Sequence, residues 1–197
     1  PATGCTNSDS VEVKDSLAIP NGVNINKPDT LTCAVSQVDI EAESTTSGAN
    51  YSWTAGTGGH IVSGANSRIV TVDSAAEYTV TVTHPYTGCT TSATIEVFSN
   101  YASPADVQIT GSYELTCNDD TLTLQGSANP AGVSYTWSTP DGRFVSGTST
   151  ASPSVDQAGT YQMVVAHPES GCTDTASVTV TDDFTVPDVD ITGAPYE

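Results

Sequence analysis

This 197-residue chain contains five cysteines, and their spacing indicates which chemistry they can perform. Two follow a Leu-Thr pair, Cys33 and Cys117, and are here called the LTC cysteines. Three follow a glycine, Cys5, Cys89 and Cys172, and are here called the GC cysteines. Members of each class recur at a nearly constant interval along the chain. With no Cys-x-x-Cys pair and only three histidines, the pattern favours disulfides over a zinc site.

The pairing of these cysteines has two alternatives. Each complete repeat holds one cysteine of each class, so we predict disulfides Cys33–Cys89 and Cys117–Cys172, with Cys5 lacking its upstream partner. The alternative pairs Cys5 with Cys33 and Cys89 with Cys117 and bridges successive domains. In an end-to-end array those residues would be a domain length apart, beyond the ~7 Å Cα limit of a disulfide. Disulfides place the protein outside a reducing cytosol.

Carboxylates are the second group with a chemistry to test. Oxygen ligands for Ca²⁺ are densest near one inter-repeat seam and in one turn: Asp182, Asp183, Asp188, Asp190 and residues 118–120. The matching positions of the sister repeat hold few such oxygens. We therefore predict no cofactor and no metal, with Ca²⁺ at the domain seams as the alternative.

Charge and motif content exclude several classes of function. Four basic against 23 acidic residues give a net charge of −19, which disfavours nucleic acid and anionic membranes as partners. No apolar run reaches membrane-spanning length, so we predict no membrane insertion. No nucleophile elbow, Ser/His/Asp order or repeated carboxylate pair is present, and we predict that the protein is not an enzyme.

A short Asp-Ser or Asp-Thr motif followed by an aliphatic or small residue occurs six times, where composition alone gives about two. It resembles the O-glycosylation acceptor motif of exported Bacteroidota proteins. The alternative is ordinary strand-edge and turn chemistry in a threonine-rich chain. The resemblance implies six acceptor hydroxyls: Ser10, Ser16, Thr30, Ser74, Thr121 and Thr175.

The elements that position these residues are predicted from a repeated hairpin. Residues 159–180 and 76–97 share one pattern, two alternating apolar runs around a His-Pro and Gly-Cys connection, and residues 1–13 contain its end. Alternation at period two predicts half-buried strands. A Pro- and Gly-containing connection between them predicts a β-hairpin. Nothing in the sequence predicts a helix longer than one turn.

The interval between repeats, longer than that of solenoid proteins, predicts tandem domains. Proline-led seams near residues 20, 104 and 187 separate the repeats. Seven or so short strands per repeat indicate a two-sheet sandwich. The predicted organisation is the end of a truncated repeat at 1–19, full repeats at 20–103 and 104–186, and the start of another at 187–197.

Three features in each repeat resemble the immunoglobulin-like sandwich of the PKD-like type. They are a Tyr-x-Trp strand, an Asp-x-x-small-x-Tyr corner and an apolar residue two positions past that tyrosine. The resemblance implies an all-β linear array of such domains. It also implies the following core residues: Trp53, Tyr78, Val80, Trp137, Tyr161 and Met163.

The repeat style, with Leu-Thr-Cys, Tyr-x-Trp, Gly-Thr-Tyr-x-Val-x-Val, Thr-Gly-Cys-Thr and a proline-led seam, resembles the SprB-like gliding adhesins of Bacteroidota, exported by type IX secretion. That resemblance implies an extracellular cell-surface stalk, with a role in gliding motility, that holds a distal binding region away from the cell. Its partners are then adjacent repeats and an unknown surface ligand or glycan. Two alternatives are a spacer or carbohydrate-binding module of a secreted hydrolase, and a self-assembling sheath or surface-layer subunit.

Overall fold

The computed structural model describes residue 4, residues 6–12 and residues 17–185. Within these residues it contains eighteen β-strands and no helix, so none of them forms a helix able to cross a membrane. The described residues divide into two compact units. The first lies within Pro1–Leu31 and Val35–Ser99, and the second within Thr32–Ala34 and Asn100–Glu197. The prediction of an all-β chain is confirmed.

The first repeat contains two principal sheets whose buried faces share one core. Its strands are β1 (Asn24–Ile25), β2 (Leu31–Thr32), β3 (Val38–Glu43), β4 (Asn50–Ala55), β5 (Ile61–Ser63), β6 (Ile69–Val72), β7 (Glu77–Thr83), β8 (Thr90–Glu96) and β9 (Ser99–Asn100). One sheet has the order β1-β3-β6-β5 and the other has the order β4-β7-β8. Alternate residues of β3 and β7 are buried, as expected for strands with one face on a core.

The second unit repeats this plan. Its strands are β10 (Ala105–Thr110), β11 (Glu114–Thr116), β12 (Leu122–Thr123), β13 (Gln125–Asn129), β14 (Ser134–Ser138), β15 (Arg143–Ser146), β16 (Ser154–Gln157), β17 (Gly159–Ala166) and β18 (Thr173–Asp183). One sheet has the order β11-β18-β17-β14, and it is covered by strands ordered β12-β16-β15 together with the β10-β13 pair. Leu124, which is fully buried, separates β12 from β13.

A tryptophan lies at the centre of each sandwich. Trp53 is paired with Val80 across β4 and β7, and Trp137 is paired with Met163 across β14 and β17. Each indole is 4% exposed. The Trp137 indole N–H donates a hydrogen bond of 2.9 Å to the Thr150 carbonyl, so the polar edge of the ring is satisfied while its apolar faces are buried.

Gly126 shows how the second core accommodates its methionine. A Cβ atom at this position would lie 3.1 Å from Cζ2 of Trp137 and still closer to the Met163 sulfur. The equivalent positions of the first unit hold Ala42 and Val80, both fully buried. The second unit therefore combines a larger side chain on one sheet with the loss of a methyl group on the other, which keeps the interior close-packed.

Candidate functional site

The hairpin connection at residues 167–172, here called the Cys172 turn, is closed by its own hydrogen bonds. The His167 amide donates to the Cys172 carbonyl (2.8 Å), and the Gly171 amide donates to the His167 carbonyl (3.0 Å). The Nδ1 atom of His167 accepts from the Ser170 amide at 3.3 Å. Gly171 has φ +67°, a conformation that favours glycine. These contacts make His167 a turn residue and give the cysteine a fixed position.

Cys172 is bonded to Cys33, with the Cα atoms 4.9 Å apart and a sequence separation of 139. The Cys172 side chain is 3% exposed. Residues 32–34 belong to the second unit, and there the Ala34 amide donates to the Ser170 carbonyl at 3.3 Å. Residues 31–34 and 115–118, each containing an LTC cysteine, are here called the first and second LTC segments. The first LTC segment thus lies on the Cys172 turn through both a covalent bond and a backbone contact.

The predicted disulfide Cys117–Cys172 is therefore wrong, and strand pairing gives the reason. Within the second unit, β11 runs parallel to the last residues of β18, with Thr116 paired to Asp183. Cys172 immediately precedes the first residue of that eleven-residue strand. At ~3.3 Å per residue the two cysteines are about 36 Å apart, whereas a disulfide requires Cα atoms within about 7 Å.

The predicted disulfide Cys33–Cys89 is wrong for the same reason. The Leu31 amide donates to the Phe98 carbonyl at 2.9 Å, so the start of this LTC segment lies beyond the end of β8, whereas Cys89 precedes its first residue. Nine residues of extended chain span about 30 Å.

The alternative pairing, Cys5–Cys33 with Cys89–Cys117, also fails. Cys33 is already bonded to Cys172, and Cys89 and Cys117 are free thiols. Cys5 lies outside the described residues.

The second constellation is the tyrosine corner of each unit. The hydroxyl of Tyr161, a fully buried residue, donates to the Gln157 carbonyl (2.6 Å) and accepts from the Arg143 amide (2.9 Å). The Tyr78 hydroxyl donates to the Ser74 carbonyl at 2.8 Å. Burial raises the pKa of both tyrosines above the ordinary value of 10.0, because an apolar surrounding disfavours the phenolate. The phenols therefore stay protonated and act as donors.

A hydrogen-bonded pair of a basic side chain and an aspartate, which the sequence analysis missed, accompanies each corner. The Arg143 guanidinium holds Asp156 through two bonds, Nε to Oδ1 (2.8 Å) and Nη2 to Oδ2 (2.6 Å). In the first unit, Nδ1 of His60 lies 2.8 Å from Oδ1 of Asp73. These hydrogen bonds lower the pKa of both aspartates. Each basic side chain is thirteen positions before its carboxylate, a signal that an alignment of the two repeats would have found.

Alkaline pH will test the tyrosine corners. A raised folded-state pKa means that the contribution of Tyr161 to stability is fully present below pH about 10 and is lost as pH rises through the folded pKa. Tyr161→Phe will lower the free energy of unfolding at neutral pH by about 1–2 kcal/mol, because the Gln157 carbonyl and Arg143 amide lose their partner. It will also reduce the extra loss of stability above pH 10. Urea unfolding at several pH values measures both effects.

Tyr86→Phe is the matched control for this experiment, since Tyr86 is 91% exposed. Its substitution will leave both the neutral-pH stability and the alkaline loss unchanged. A Tyr161 phenolate that forms at the same pH as an exposed phenolate, with the fold intact, would contradict the proposed role of burial.

The predicted core and glycosylation residues occupy different environments. The six core residues are buried: Trp53, Tyr78, Val80, Trp137, Tyr161 and Met163. Among the acceptor hydroxyls, four belong to exposed residues: Ser10, Thr30, Thr121 and Thr175. Ser74 is half-buried, and its hydroxyl donates to Oδ1 of Asp73 at 3.1 Å. Ser16 lies outside the described residues.

Calcium at a seam, the alternative named above, needs several oxygen ligands at one place. In the described part of the chain, no group of three or more His, Cys, Asp or Glu side chains could hold a metal ion. Asp183 instead accepts a hydrogen bond of 2.6 Å from the Thr185 hydroxyl, which lowers the pKa of its carboxyl group. Asp120 accepts a hydrogen bond from the Thr121 hydroxyl at 3.3 Å. Asp188 and Asp190 lie outside the described residues.

The second unit also has a shallow open groove on its β14-β17-β18 sheet. It is lined by six residues: Ser138, Thr139, Pro140, Thr160, Gln162 and Ser177. The Thr139 hydroxyl donates to the Thr160 carbonyl at 2.7 Å. This lining residue therefore also attaches the end of β14 to β17.

The paired sheets, the central tryptophans and the tyrosine corners define a tandem array of immunoglobulin-like β-sandwich domains. Two separate matches to the PKD-like domain family cover residues 19–98 and 102–181, and the chain belongs to that family. Domains of this kind are typically non-catalytic structural modules. The domain limits predicted from the sequence, 20–103 and 104–186, stay a prediction.

Several solved structures are similar to this chain. One is the three N-terminal domains of the bacteriophage RB49 Highly Immunogenic Outer Capsid protein (17% identity, 83% of this chain and 59% of that chain, TM-score 0.44). Others are the titin I-band fragment I67–I69 (14%, 85% and 66%, 0.39) and murine CEACAM1b (15%, 75% and 92%, 0.36). At these identities the likeness concerns the fold alone. No curated protein matches the sequence.

Proposed function

We propose that these domains are stalk repeats of a large bacterial cell-surface adhesin of the SprB-like kind, which hold a distal binding region away from the cell and act in gliding motility. The observation that carries this proposal is the repetition of one structural design. Both units keep the central tryptophan, the tyrosine corner with its hydrogen-bonded basic residue and aspartate, and the cysteine turn. Repeated self-contained domains add length to a chain at constant stability per domain.

The covalent chemistry supports a location outside the cell. Cys33 and Cys172 form a disulfide, and such bonds persist in oxidising surroundings rather than in a reducing cytosol. The net charge of −19 adds mutual repulsion between copies, which favours solubility and opposes unspecific lateral packing. An anionic coat of this kind suits single threads better than a laterally packed sheath.

Immunogold electron microscopy of intact source cells tests the proposal. Antibodies against this chain are expected to label thin beaded threads that project from the surface, without permeabilisation. Labelling only after lysis would overturn the surface location, and ordered lateral packing of the labelled material would overturn the single-thread stalk. Antibodies preabsorbed with the purified chain provide the control.

Glycosylation at the Asp-Ser and Asp-Thr motifs is part of the same proposal. Exposed hydroxyls such as those of Thr121 and Thr175 are open to a transferase, and a glycan there shields strand edges from pairing with other chains. Peptide mass spectrometry of native material is expected to show hexose-type increments at these threonines, with less at Ser74, which is half-buried. Unmodified Thr121 and Thr175 peptides would remove this part of the proposal.

A further inference from the structure

The disulfide in the structure joins an LTC cysteine of one repeat to a GC cysteine of the next repeat in the sequence. Cys33 shares its repeat with the GC cysteine Cys89, yet it is bonded to Cys172, at a sequence separation of 139. Its partner is therefore the GC cysteine of the following repeat, the position that corresponds to Cys89 one repeat later. Applied to the rest of the chain, this rule leaves Cys89 and Cys117 each needing a partner from another repeat.

The turn at residues 84–89, here called the Cys89 turn, has the same geometry as the bonded Cys172 turn. The His84 amide donates to the Cys89 carbonyl at 2.8 Å, the same distance as in the Cys172 turn. Gly88 has φ +70°, compared with +67° for Gly171. The unpaired cysteine is thus held in the same backbone conformation that the disulfide-bonded one adopts.

The two turns differ in what covers them. A Cβ atom on Gly171 would lie 2.8 Å from Cβ of Ala34, whereas a Cβ atom on Gly88 would meet no atom of the described residues within 4 Å. Cys172 is buried and Cys89 is half-buried. Among the residues that the structure describes, none covers on the Cys89 turn the surface that residues 31–34 cover on the Cys172 turn.

The second LTC segment is paired with β18 through Thr116, but its cysteine has no disulfide partner. In the bonded segment the Thr32 hydroxyl oxygen accepts from the Ala34 amide at 3.2 Å. The Thr116 hydroxyl oxygen accepts from the Asn118 amide at 3.3 Å, so the chain turns in the same way around Cys117. The Cys117 thiol is free and the residue is exposed.

From the observed bond and the uncovered turn we propose that Cys117 of one copy of this repeat pair forms a disulfide with Cys89 of a second copy, so that repeats are linked head to tail. The occupant of the Cys89 turn is the second LTC segment of that other copy, residues 115–118. The bond forms by thiol–disulfide exchange. A Cys117 thiolate displaces one thiol from a disulfide oxidant such as oxidised glutathione, and the Cys89 thiolate then displaces the second. Two thiols lose two protons and two electrons, and the oxidant is reduced to two thiols.

The test uses the full chain with Cys5 replaced by serine, which leaves two thiols besides the Cys33–Cys172 bond. Two further variants carry Cys89→Ser or Cys117→Ser, and each then has one free thiol. In a glutathione redox buffer, an equimolar mixture of the two is expected to give a heterodimer bonded through Cys117 and Cys89. Its yield should exceed that of either homodimer by about tenfold, a preference equivalent to about 1.4 kcal/mol.

Non-reducing electrophoresis measures the yields, and mass spectrometry of the cross-linked peptides identifies the bonded residues. Homodimers formed as readily as the heterodimer would show unselective thiol oxidation and would overturn the proposal. A mixture that stays monomeric while Cys33–Cys172 remains intact would overturn it as well. The outcome does not depend on the cellular location of the protein, so it is separate from the stalk proposal.

Discussion

Trp137→Ala will lower the free energy of unfolding of the second unit by about 3–5 kcal/mol, the range for truncating a large buried aromatic side chain. The tryptophan is 4% exposed, and its ring packs directly against the backbone of Gly126 on the facing sheet. Alanine removes these contacts and leaves the Thr150 carbonyl without its donor. Urea denaturation followed by hydrogen exchange, with peptides from residues 100–185 analysed separately, measures the loss.

Two variants serve as controls for this substitution. Trp53→Ala makes the same change in the first unit, where the indole is equally buried, and its largest effect will fall on residues 17–99. Trp137→Phe also removes the N–H donor, but it keeps an aromatic ring in the core. It will therefore lower the free energy of unfolding less than Trp137→Ala does. A loss below about 1 kcal/mol for Trp137→Ala would mean that the second core closes around the cavity, contrary to its close packing.

Cys33→Ser will lower the stability of the second unit by about 2–5 kcal/mol, the usual cost of losing a native disulfide. The bond joins positions with a sequence separation of 139, and long loops lose the most entropy on closure of the unfolded chain. Cys172→Ser and chemical reduction of the unsubstituted chain should give the same decrease. Urea unfolding of the second unit, read from Trp137 fluorescence in a Trp53→Phe background, measures all three.

Cys117→Ser is the matched control, because it changes an LTC cysteine whose thiol is free. It will leave the unfolding midpoint within experimental error of the parent chain. Equal effects of Cys33→Ser and Cys117→Ser would contradict the assigned disulfide, as would two reactive thiols at positions 33 and 172 in the folded chain.

Much of the fold could be predicted because its signals are local. The alternation of Tyr78, Val80 and Val82 has the period of a strand with one buried face, and all three are fully buried. The recurrence of the same hairpin, tryptophan and cysteine motifs predicted two copies of one sandwich. Strand alternation depends on residues two positions apart, and the number of domains depends on the repetition of motifs. Both can be recognised in a single sequence.

The disulfide could not be predicted in this way, because it depends on which end of a strand each cysteine occupies. Leu-Thr-Cys carries no local sign that its strand begins beside the end of the repeat's last strand, as the Leu31–Phe98 hydrogen bond shows. The paired change of Ala42 and Val80 to Gly126 and Met163 was equally hidden, since the two positions meet only in the packed core.

The position of the Cys33–Cys172 bond has a mechanical consequence. Tension applied to the chain outside these two residues passes through the sulfur atoms, so the intervening polypeptide carries no load. With a sequence separation of 139 between the cysteines and about 3.5 Å per extended residue, roughly 480 Å of contour length is withheld from stretching. A reductant that opens the bond exposes the intervening domains to the tension, and the redox state of one cysteine pair thereby decides whether a pull can unfold them.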